Sequence, residues 1–79
     1  MGKQILIYLD EEDLGQVIDG LRVRAESWRA TECYFETGRA HTIIEECNDA
    51  AEARAIAEHY ERIIESVVTQ QAAQERQER

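Results

Sequence analysis

Proline is absent from this chain, and with it any Pro-rich stretch that could separate domains. Seventy-nine residues without such a linker make one domain and are too few for two. The only cysteines are Cys33 and Cys47, too few for the disulfide framework of a small secreted scaffold. Long apolar runs are missing as well. The opening run, Ile5-Leu6-Ile7-Tyr8-Leu9, falls far short of the ~20 residues of a membrane span and of a secretory signal. Position 6, where N-myristoylation requires Ser or Thr, is Leu6. These gaps lead to the expectation of a soluble, cytoplasmic protein with reduced thiols.

Cations are scarce too. Nine Lys and Arg face seventeen Asp and Glu, for a net charge of −8. Binding to phosphate backbones requires clustered cations that release counterions. The densest group here, Arg22, Arg24 and Arg29, is interrupted by Glu26 and followed by Glu32. Nucleic acid is therefore not expected as a partner, and neither is an anionic membrane.

Among the features present, residues 5–9 combine β-branched, aromatic and leucine side chains between polar neighbours, which predicts a strand buried on both faces. Asp10 follows as a helix N-cap, and Glu11, Glu12 and Asp13 complement the positive end of the helix dipole. Four consecutive acids could also hold a divalent cation, but no glycine-turn ligand loop accompanies them.

The first helix is predicted from Glu11 to about Glu36, with Leu14, Val17, Ile18, Leu21, Ala25, Trp28 and Phe35 in one stripe. Gly15 and Gly20 lie off that stripe and each costs about 1 kcal/mol relative to alanine. Close approach of another backbone is one reason to keep them. Glu32 falls within the stripe, so the last turns should leave the core. Gly38 is placed to end the helix.

Residues 41–47 contain Ile43 and Ile44 and read as a second, short strand. Asn48 and Asp49 then cap a second helix, with capping-box spacing from Asp49 to Glu52. Its stripe is Ala53, Ile56, Ala57, Tyr60, Ile63, Ile64, Val67 and Val68. From about Gln70 the composition turns to Gln, Ala, Glu and Arg. The expected organisation is a domain over residues 1–69 and a polar tail over 70–79, either a helical extension or disordered.

Strand, helix, strand, helix predicts an α+β fold, with two amphipathic helices on one side of a short sheet. A helical hairpin with one N-terminal strand is the alternative. Either arrangement leaves one flank of the first strand uncovered, and two strands alone are marginal. A homodimer resolves both problems, with Ile5, Leu6, Ile7, Tyr8 and Leu9 at its interface.

The residues that could carry chemistry do not form a recognisable site. Cys33, His41, Cys47 and His59 are separated by eight, six and twelve residues, unlike the close ligand pairs of zinc sites. No metal site or cofactor is predicted. Cys47 precedes a helix N-terminus, but Glu45, Glu46, Asp49 and Glu52 oppose a thiolate there. Cys33 has one cation nearby in sequence, Arg29. Catalytic motifs are absent, so no enzyme is expected.

Arg24, Trp28, Arg29, Tyr34 and Phe35 concentrate the residue types of binding hot spots on one helix and are the candidate partner-binding residues. Arg24 could stack on Trp28 one turn away. A core tryptophan flanked by ion pairs such as Arg22 with Glu26 would leave the same pattern. Two functions follow. The first is a protein-interaction or regulatory module that pairs with itself and, in second place, with another protein. The second is a small-molecule or metal-binding domain in which His41, Glu45 and Cys47 converge from two chains.

Overall fold

The computed structural model describes residues 2–39 and 46–77. The chain order is an N-terminal arm without regular secondary structure, helix α1 over Glu11–Thr37, a connection, and helix α2 over Ala50–Gln77. The two helices run antiparallel as a hairpin.

Each boundary has a local cause. The Asp10 carboxylate accepts the Asp13 amide at 2.9 Å, satisfying one of the orphan donors of the first turn. Such a cap is worth about 1 kcal/mol. Glu11, Glu12 and Asp13 add negative charge at the positive end of the dipole. At the other end Gly38 takes the left-handed conformation, φ 76° and ψ 8°, and its amide donates to the Tyr34 carbonyl at 2.7 Å. A Cβ would strain that backbone, so glycine is the fitting residue there. Asp49 accepts the Glu52 amide at 2.8 Å, and Glu52 reaches back to the Asn48 amide at 3.3 Å and the Asn48 Nδ2 at 3.0 Å. The box is thus closed one residue earlier than the usual pattern.

The predicted α+β fold is overturned: among the described residues there are two helices and no strand. Residues 5–9 carry no regular secondary structure and pair with no strand among the described residues, and Ile5, Leu6, Ile7 and Tyr8 are 78, 75, 69 and 86% exposed. Their β-rich composition records fitness for a pleated, half-buried surface, not a backbone preference that acts alone. Without a partner strand the composition has nothing to act on. Of the second predicted strand, residues 41–45 lie outside the described residues, and Glu46 and Cys47 carry no regular secondary structure. The alternative keeps its helical hairpin and loses its strand.

The core lies in the seam between the helices. Trp28 packs on Ala53 and Ala57, both fully buried, with Cys47, Ile56 and Tyr60 around them. Ile18 and Ala25 extend the buried line along α1. Thr31, absent from the predicted stripe, is fully buried because its hydroxyl donates to the Ser27 carbonyl at 2.9 Å. The stripe frays at its ends, where Val17 and Phe35 are 44 and 39% exposed. Gly15 and Gly20 have open space where a Cβ would stand, so no other backbone among the described residues approaches them.

The body measures 49 × 29 × 16 Å. With a helix about 10–12 Å across, the short dimension is one layer of helices. The radius of gyration, 15.4 Å, exceeds the about 11.6 Å of a compact chain of this length.

Candidate functional site

Charge divides the two broad faces of the hairpin. On one face, Arg29 donates to Glu61 through Nε at 2.9 Å and Nη2 at 2.7 Å, and to Glu32 at 2.9 Å. Arg54 bonds Glu32 through Nε and Glu36 at 2.9 Å. Glu32 therefore binds an arginine from each helix and stays on the seam with only 14% of its side chain exposed. Beyond Glu32 the last turn of α1, residues 33–37, is exposed, so the helix leaves the core there as expected, while Glu32 itself stays on the seam. A carboxylate can occupy a stripe position when two guanidinium groups satisfy it.

The network also shifts protonation. Hydrogen bonds from Arg54 and then Arg29 hold the Glu32 carboxyl below its ordinary value of 4.5, and Arg29 does the same for Glu61. A carboxylate depressed in the native state stabilises the fold at pH above its unfolded value, and that contribution disappears as pH falls through the native one. Arg54→Met should therefore melt below wild type at pH 7, with the gap closing as pH falls below the ordinary carboxyl value of 4.5. Paired thermal melts followed by circular dichroism check this. A gap that stays constant with pH would contradict it. Beside this network an open groove of about 350 Å³ is lined by Arg22, Ala25, Glu26, Arg29, Glu61 and Ile64.

The opposite face is built differently. The Arg24 guanidinium lies 5.9 Å from the Trp28 ring centre and 6.0 Å from that of Tyr60, within cation–π range of both. Ile56, Tyr60, Ile63 and Val67, from the same side of α2, are half-buried. Across from them α1 presents Val17, Gly20, Ser27 and Thr31. At 3.6 residues per turn, Asp19, Glu26 and Glu32 of α1 point to the ion-paired side or the outer back of the helix. Glu58, Glu61 and Glu65 of α2 do the same. Between Val17 and Phe35, and between Ala53 and Gln74, this face carries no acid and one cation, Arg24.

The structure separates the predicted partner-binding residues. Arg24 and Trp28 meet as anticipated, but Trp28 is core, 8% exposed. Arg29 belongs to the ion-paired face. Tyr34 and Phe35 form an edge-on pair 5.5 Å apart at the end of α1, and each is more than a third exposed. Sequence reasoning missed Tyr60 as the second ring under Arg24, and Arg54 as the cross-helix partner of Glu32. Tyr60 stood in its stripe, whereas the register that brings it to Arg24 is set only when the helices dock.

Cys47 is half-buried against the core, and burial followed by the charge of Glu52 pushes its pKa up. Cys33 is exposed, with Sγ 3.6 Å from the Thr37 hydroxyl. His59 lies on the surface, its Nδ1 3.4 Å from Arg62. Among the described residues no three His, Cys, Asp or Glu side chains converge as metal ligands. His41 and Glu45, the other members of the proposed interface site, lie outside the described residues. No described helix is long and apolar enough to cross a membrane. Compared with models of known protein families, with curated proteins and with solved structures, the chain matches none.

Proposed function

We propose that this chain is a protein-interaction module that works by associating with itself, not by catalysis. The observation that carries this reading is surface area. The protomer exposes 6577 Å², whereas a compact monomer of its mass exposes about 4,900 Å². A standard interface hides about 800 Å² on each partner, well within that excess. Globular domains are built from two or more packed layers, and this one supplies a single layer. Apolar side chains that a second layer would cover are exposed instead, residues 5–9 among them. In this reading Ile5, Leu6, Ile7, Tyr8 and Leu9 become contact residues as an apolar arm.

Light scattering coupled to size exclusion, at micromolar protein, tests the reading. A mass of two chains is expected, and a single-chain mass across the concentration range would sink it.

A further inference from the structure

We infer that the surface joining two copies is the acid-free face of the hairpin, so that two hairpins close face to face into a four-helix bundle. This rests on the self-association proposed above and adds where it takes place.

Three observations converge on that face. The first is charge. Two copies each bearing −8 repel one another, and desolvating a carboxylate in an interface is expensive. Contact through the ion-paired face would bring Glu61, Glu58 and Glu65 of one copy toward the same residues of the other. Contact through the acid-free face keeps them on the outer surfaces of the assembly. A partner of different sequence and opposite charge would seek the acids, whereas a face with no acid and a single cation, Arg24 over the Trp28 and Tyr60 rings, suits a copy of itself. Depletion of charge is also the compositional mark of an interface centre.

The second observation is shape. Ile56, Ile63 and Val67 stand along α2, while α1 offers Gly20 and Ser27 opposite them. Ridges on one helix and low points on the other are what a two-fold-related copy needs to interdigitate. Gly20 is exposed, with open space at its missing Cβ. The backbone approach that its presence suggested, absent among the described residues, is available to a second copy. Third, the layer is 16 Å thick. Stacking a copy on this face gives the two-layer thickness of a four-helix bundle.

Mass measurement on variants tests the placement. Ile63→Glu and Val67→Glu should each convert the assembly to single chains at micromolar concentration. Glu65→Lys, on the same helix but the other side, should leave it intact. Helicity measured by circular dichroism shows that each variant remains folded. A gentler probe covers the case in which the glutamate variants unfold. Ser27→Cys, in a chain with Cys33→Ser and Cys47→Ala, should react with a bulky maleimide at least tenfold more slowly in the associated state than after dilution to single chains. Wild type that is dimeric, with Ile63→Glu folded and equally dimeric, overturns the placement and leaves self-association standing. A labelling rate independent of concentration in a dimeric sample does the same. Wild type that is a single chain throughout removes both.

Discussion

Trp28→Ala should leave the chain largely unfolded at room temperature. Trp28 is the only large side chain of the buried cluster, which otherwise consists of Ala53 and Ala57, with Cys47, Ile56 and Tyr60 packed around it. Removing a buried tryptophan costs about 3–5 kcal/mol. A domain of this length has about 4–12 kcal/mol in total, and a one-layer body stands at the low end of that range. The opposing Ala53 and Ala57 are too small to fill the space that the indole leaves. Far-UV circular dichroism during urea titration reads the outcome, and a midpoint equal to wild type would contradict it. Trp28→Phe is an informative companion. The indole Nε1 is buried with no hydrogen-bond acceptor among the described residues, a state that costs free energy. Phenylalanine loses volume but removes that orphaned donor, so its penalty should be less than half that of alanine.

The second large effect comes from adding atoms. Ala57→Leu should destabilise by about 1–3 kcal/mol, since inserting methylenes into a filled seam forces the helices apart or the side chain off its rotamer. Ala57 has no exposed surface and lies against Trp28. Forcing α2 away there would also stretch the Arg29–Glu61 and Arg54–Glu36 pairs, now 2.7 and 2.9 Å. Ala55→Leu, two residues earlier on the exposed side of α2, is the control and should change stability by no more than about 0.5 kcal/mol. Thermal melts of the two variants should differ by several degrees, and equal melting points would mean that the seam at Ala57 is loose.

The sequence made the helices and their ends legible because capping is local. Asp10, Gly38 and the Asp49-to-Glu52 box act on backbone groups within four residues, and each occurs where the residue types placed it. The strand reading failed because a strand is a relation between two segments. Residues 5–9 have the composition for such a relation and, among the described residues, no partner for it. The pairing of Glu32 was out of reach for a related reason. Its position in the apolar stripe is visible at once, but the arginine that makes it tolerable comes from a helix that begins eighteen residues later. Thr31 stands outside the predicted stripe yet is buried, because a hydroxyl bonded to its own helix behaves as a small apolar group. The division of charge between the two faces was present in the spacing of Asp19, Glu26, Glu58 and Glu65. It acquires meaning only once the hairpin sets which edges of α1 and α2 adjoin.

A slab as thin as this one has no depth. Few side chains are buried on either helix, so a local opening has little material to displace and exchange with solvent should be fast along most of both helices. Burying one broad face against a twin would change that for the inner edges alone. With such a twin, dilution would act on this polypeptide as heat or urea acts on a thicker one, and its working abundance would become part of what keeps it folded.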